Sequence, residues 1–176
     1  IPTNYHGEVV TKLDGDPDHV VPGLMAVGEA ACVSVHGSNR LGGNGVANST
    51  VYGGVAGDVM GTDVQNMEAL RDPDEDVLST EIARATHPLS KAPANIHPLR
   101  TKLQEAMWDD VGVMRTKTGM TRGLGRVAGI KSELMETGVA PDNLAFNLTW
   151  HDWLNMASLC DISEVIAKAG VERENS

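Results

Sequence analysis

The sequence predicts a mixed α+β or α/β fold, in which a first part of strands, turns and one helix precedes a small three-helix bundle. Three observations carry this reading. Eight of the nineteen glycines fall between Gly37 and Gly61, where the chain must turn tightly or lie close to something. Short apolar and β-branched runs bounded by turn residues crowd the first sixty positions. From Pro98 onward, apolar residues recur at helical spacing in three separate stretches.

Taken in order, Val9-Val10-Thr11 is a short β-branched run. Leu24-Met25-Ala26-Val27 follows the turn pair Pro22-Gly23 and stops at Gly28, as a buried strand would. A helix starts near Gly45, with Val46, Val51, Val55 and Val59 spaced to share one face. Its many small residues suggest that close packing or a ligand uses the space they leave. Arg71-Asp72-Pro73-Asp74-Glu75-Asp76 reads as an exposed acidic linker. The expected organisation is therefore a first domain over 1–62, a linker over 63–76 and a helical domain over 77–176. In the last of these, Pro98 suits a first helical turn, and Leu99, Leu103, Ala106 and Met107 follow it toward Val111. Leu124, Val127, Ile130 and Leu134 repeat the pattern. Trp153, Leu154, Ala157, Leu159 and Ile162 mark a third helix, and Met107, Met114 and Met156 are expected in the core.

Composition excludes some functions. With 41% hydrophobic and 22% charged residues the chain can fold around a core, and a net charge of −10 argues against nucleic acid. One local arginine can still bind an anion. Cys32 and Cys160 lack metal spacing and read as free thiols. No run approaches the ~18 apolar residues of a membrane span, so membrane association would come through a partner. His6, His19, His87, His97 and His151 read as surface residues. Asn48-Ser49-Thr50 and Asn147-Leu148-Thr149 match the glycosylation tripeptide, which is discounted for want of a secretion signal.

The chemistry concentrates between Gly23 and Gly57. A strand ending in Gly28-Glu29 leaves a carboxylate at its carboxyl end, where open α/β sheets bind ligands. The glycine-rich loop that follows leads into a helix whose first turn offers unpaired N–H groups to an anion or a carbonyl oxygen. Arg40 precedes that helix, and its guanidinium is a bidentate partner for a carboxylate. His36, four residues earlier, reads as a loop histidine satisfied by backbone, with a place in the pocket lining as the alternative.

Gly23-Leu24-Met25-Ala26-Val27-Gly28-Glu29 and His36-Gly37-Ser38-Asn39-Arg40-Leu41-Gly42-Gly43-Asn44 resemble the signature of the succinate dehydrogenase, fumarate reductase and L-aspartate oxidase flavoproteins. Ile1-Pro2-Thr3-Asn4-Tyr5, the segment Met107-Trp108 to Arg115, and Asn147 to Ser176 extend the likeness along most of the chain. The resemblance implies the carboxyl-terminal part of a Rossmann-like FAD-binding domain, then the helical domain. It implies FAD as cofactor, with Glu29 at the ribityl region and Gly45 and Val46 touching the flavin ring through backbone. It implies Arg40 as the clamp on a carboxylate of succinate or fumarate. The family continues with Ser-Leu-Leu-Asp where this chain has Gly45-Val46-Ala47-Asn48, which marks a divergent branch.

The family's pyrophosphate motif, flavin-linked histidine, acid–base arginine and substrate histidine would all lie upstream of Ile1. The expectation is thus half a site: no catalytic residue here, and neither tight FAD binding nor turnover by the chain alone. The implied partners are an iron–sulfur subunit and membrane anchor subunits leading to a quinone, with the protein held at the cytoplasmic face of the inner membrane through them. An L-aspartate oxidase-like soluble enzyme and a non-catalytic interaction module stay open as alternatives.

Overall fold

A computed structural model describes residues 1–37, 39–67, 69, 72–140 and 144–173. The chain divides into two compact units, Ile1–Asp72 and Pro73–Ser176.

In the first unit, strands β1 (Glu8–Leu13) and β2 (Asp16–Met25) pair antiparallel. They are joined by Asp14-Gly15, whose φ angles of 50° and 88° are both positive. Such a two-residue turn follows the right-handed twist of the strands it joins. The register then slips between the pairs Val10–Val20 and Glu8–Met25, leaving extra residues on β2. Pro22-Gly23 lies in that bulge, with no N–H on the proline and φ +77° at the glycine. This corrects the expected buried strand at Leu24–Val27. Leu24 is half exposed and the strand ends at Met25, because β2 pairs with β1 alone among the described residues.

Helix α1 (Asn44–Asn66) begins within a residue of the expected Gly45 and continues beyond Thr62. Its buried side is set by Asn48 and Ala56, with Tyr52, Val55 and Val59 partly covered, whereas Val46 and Val51 face outward. Gly7, at φ +86°, lets the start of the hairpin approach this side: a Cβ there would stand 3.1 Å from the Ala56 Cβ. The segment Ile1–Thr3 completes the unit. Cys32 N–H donates to the Ile1 carbonyl at 2.8 Å and Thr3 N–H to the Cys32 carbonyl at 3.1 Å, tying down the loop between β2 and α1.

The second unit contains four α-helices among its described residues. Helix α2 (Glu75–Thr86) falls largely within the stretch expected to be helical from residue 77, though it was not singled out; Asp74, read as linker, caps it by accepting from the N–H groups of Asp76 and Val77. Helices α3 (His97–Val111), α4 (Lys117–Met135) and α5 (Leu148–Glu172) pack around one core. Leu99, Leu103 and Ala106 meet Val127, Ile130 and Leu134, and Trp153, Met156 and Cys160 close the third side. The Trp153 indole N–H donates to the carbonyls of Leu134 and Thr137, at 3.1 and 2.9 Å, binding α5 to the end of α4.

Several expectations are corrected here. The buried side of α5 runs through Trp153, Met156, Cys160, Ser163 and Ala167, so Leu159 and Ile162 are exposed. Met114 is 88% exposed rather than in the core. His87 is part-buried, not a surface residue, with its Nε2 2.7 Å from the Met135 carbonyl. The fully buried Asp110 side chain is held by Arg122 and by Arg126 at 3.1 Å. Hydrogen bonding from Arg122 does most to hold its carboxyl below the usual carboxylate range, burial opposes this, and Arg126 adds to it. Cys32 and Cys160 are both free thiols, one exposed and one buried.

Candidate functional site

Chain geometry makes the site from one continuous stretch of the first unit. After β2 the backbone turns at Gly28, with φ +66°. A Cβ there would stand 2.8 Å from the Ser49 Oγ, so only glycine lets this turn lie against α1. Glu29 follows within a single 3-10 turn, Gly28–Ala30, and projects outward. The loop returns toward the start of α1, where the Asn44 N–H donates to the Leu41 carbonyl at 3.0 Å.

Arg40 then lies across the first turn of α1. Its Nη2 donates to Glu29 Oε1 at 2.5 Å, with the arginine side chain about one-third exposed and the glutamate largely so. Gly45 makes room for it, since a Cβ there would stand 3.2 Å from Nη2 and 3.4 Å from Cζ. Glu29, Arg40, Gly45 and Val46 thus line one open cleft at the amino-terminal end of α1, with Ser49 and Thr50. The four residues singled out in the sequence meet in space.

Chemically, this cleft combines a guanidinium fork, the open N–H groups of a helix start and a carboxylate. The first two suit an anion. The carboxylate accepts from hydroxyl or N–H donors. Glu29 takes one arm of the fork, and a carboxylate binding Arg40 would share or displace that contact.

A second cleft backs onto the same ion pair and is lined by Gly28, Glu29, Cys32, His36, Arg40 and Asn48, among others. Two of its polar atoms, His36 Nε2 and Asn48 Oδ1, are buried without a hydrogen-bond partner among the described residues. The expectation that backbone satisfies His36 therefore fails at Nε2. Asn48 was passed over as a discounted glycosylation tripeptide; its signal was a polar residue on the buried side of a helix. Ser38 of the motif lies outside the described residues. Among the described residues, no three His, Cys, Asp or Glu side chains are grouped to hold a metal, and no helix is long and apolar enough to cross a membrane.

Comparison with known proteins bears on the chain as a whole. Residues 1–46 match the FAD binding domain family, and residues 100–176 match the family described as fumarate reductase flavoprotein C-term. The whole chain aligns with the succinate dehydrogenase flavoprotein subunits of Rickettsia conorii at 34% identity and Coxiella burnetii at 31%, and spans 30% of the length of each. Among solved structures, Mycobacterium smegmatis Sdh1 in complex with UQ1 superposes with a TM-score of 0.79 at 31% identity, over 92% of this chain and 27% of that one. The order of an FAD-binding segment followed by a helical carboxyl-terminal segment defines a class of flavoprotein. Within that class, this chain belongs to the succinate dehydrogenase and fumarate reductase flavoprotein subunit family.

Proposed function

We propose that the chain is part of an FAD-dependent oxidoreductase that interconverts succinate and fumarate. The observation that carries this is Arg40, laid over the first turn of α1 and held by Glu29. In this reading Arg40 binds one carboxylate of the substrate. Glu29 accepts from the hydroxylated chain of FAD, and the backbone of Gly45 and Val46 borders the flavin ring. The open helix start, the space left by Gly45 and the unpaired atoms of the second cleft are compatible with that cofactor. FAD, when bound, supplies the hydride chemistry. The acid–base step belongs to a residue outside these 176, so the chain alone is expected to be inactive.

The division of the chain near Asp72 supports reading a first part as the later part of a Rossmann-like FAD domain and the rest as the helical domain, although α1 and α2 reach into both ends of the expected 63–76 linker. Electrons would pass to an iron–sulfur subunit and, through membrane anchor subunits, to a quinone. The protein would then sit at the cytoplasmic face of the inner membrane through those partners.

The test uses the full-length subunit carrying this sequence. It should purify with bound flavin and reduce a dye when given succinate. Arg40→Lys keeps the charge but loses the fork, and should raise KM for succinate by about 10- to 100-fold, the range of a lost charge-assisted hydrogen bond. A colourless protein, or an Arg40→Lys variant with wild-type kinetics, refutes the assignment. L-aspartate accepted in place of succinate would identify the soluble oxidase instead.

A further inference from the structure

We propose that Asn48 and His36 form a second polar subsite behind the Glu29–Arg40 pair, and that it holds a hydroxyl of the ribityl chain of the flavin. The proposal rests on the flavin reading above and adds two residues to it.

Asn48 is 9% exposed, on the second turn of α1, and its Oδ1 has no partner among the described residues. His36 Nε2, in the same cleft, is likewise buried and unpartnered. Buried polar atoms are almost always paired, because an unpaired one forfeits its hydration without return. Two such atoms in one cleft, beside a carboxylate and a guanidinium, point to a missing ligand group.

Their chemistry narrows what that group is. The Asn48 oxygen needs a donor, which excludes a carboxylate, since an ionised carboxylate only accepts. The dicarboxylate substrate is therefore not the occupant. A flavin ring carbonyl is excluded on the same ground, whereas the ring N3–H is a donor, and lumiflavin, which carries that N–H without a ribityl chain, tells the two apart. His36 Nε2 donates or accepts according to its tautomer, so a single hydroxyl that donates to Asn48 Oδ1 and accepts from His36 satisfies both. Flavin cofactors carry such hydroxyls on the ribityl chain and on the adenosine ribose. Glu29, which on that reading accepts from the ribityl chain, lines both clefts, so the ribityl hydroxyls would be the ones in reach.

The experiment uses the full-length subunit produced flavin-free in a riboflavin-starved host, comparing wild type with Asn48→Leu, which is near-isosteric and removes the acceptor, and Asn48→Asp, which keeps one. Each is titrated with riboflavin, with lumiflavin, which lacks the ribityl chain, and with adenosine, and the melting temperature of each flavin-free protein is measured. Asn48→Leu should weaken riboflavin binding about tenfold, the scale of one lost hydrogen bond. It should leave lumiflavin and adenosine unchanged and should not lower the melting temperature, since the unpaired oxygen is gone. Asn48→Asp should bind riboflavin within a few-fold of wild type, roughly the context scatter of a single hydrogen bond.

Unchanged riboflavin affinity in Asn48→Leu would mean that the cleft holds only water. Riboflavin and lumiflavin weakened alike would make the effect one of packing or of the ring N–H, and a loss confined to adenosine would move the subsite to the ribose; either result overturns the proposal. A wild-type protein that binds no flavin at all removes the flavin reading beneath it.

Discussion

Two residues show how differently a buried polar group can be handled in this chain. Asn48 Oδ1 has no partner among the described residues, whereas Asp110 has its partners built in. Arg122 donates to Asp110 through both Nε, at 2.9 Å, and Nη2, and Arg126 takes the other oxygen. Because the carboxyl is depressed in the folded state, its contribution to stability is complete above the unfolded carboxylate pKa of about 4 and disappears as pH falls through the lower folded value. Asp110→Asn should therefore cost about 2 kcal/mol near neutral pH. The gap in denaturant midpoint between wild type and variant should hold steady from pH 7 down to about 4 and narrow only below that; a gap that stays constant on further acidification would mean the pair is not titrating as described. The sequence offered little warning of this pair, because an acid at 110 and arginines at 122 and 126 become neighbours only when α3 and α4 pack. The Glu29–Arg40 pair was legible because both residues belong to one motif.

Glycines divide by what their helices touch. Gly54 and Gly57 of α1 have nothing within 4 Å of where a Cβ would stand, whereas a Cβ on Gly123 of α4 would stand 2.9 Å from the Asp110 Cβ and 3.0 Å from the Val111 Cγ2. Alanine at 54 or 57 should stabilise the 176-residue chain by up to ~1 kcal/mol, through helix propensity alone. Alanine at 123 should instead lower its melting temperature by pushing α3 off α4. Thermal melts of the three variants check the opposite signs, and equal responses would contradict the packing. The sequence reading attributed the small residues of α1 to close packing or a ligand; among the described residues nothing fills the space at 53, 54, 57 or 61. Helices α3 and α4 were legible because one apolar stripe stood out in each. On α5 apolar residues occur all round, with Val165 and Ile166 exposed as well, so periodicity did not single out the buried side. Helix α2 buries none of its own residues, and its apolar Leu78, Ile82 and Ala85, though at helical spacing, form a stripe too short to stand out. The hairpin was missed although Asp14-Gly15 is a strong local turn signal, because the bulge at Pro22-Gly23 resembles the start of a new strand.

At the scale of the molecule, the two units are unequally provided. The main core cluster lies wholly between Ile96 and Cys160, and the buried apolar side chains of the first unit reduce to Val9 and Ala56 among the described residues. Residues 73–176 expressed alone should thus fold and melt cooperatively, while residues 1–72 alone should show weak, non-cooperative loss of structure. Circular dichroism of the two pieces decides this; a cooperative transition in 1–72 would mean that its stability comes from contacts beyond this core. The composition already marked the difference, since small residues fill the first unit and Leu, Met and Trp the second. What it could not mark is that the site-bearing unit is the less self-sufficient one.

The two cysteines turn this division into a pair of clocks. Cys32 sits in the open on the site-bearing unit, while Cys160 is sealed in the helical core, where burial, with the Asp161 carboxylate adding to it, pushes its thiol upward and keeps it protonated. A thiol-reactive dye should therefore label in two well-separated phases. The fast phase would time access to the cleft and slow down when a ligand covers it. The slow phase would time the opening of the three-helix core. One labelling curve would give both readings without any engineered probe.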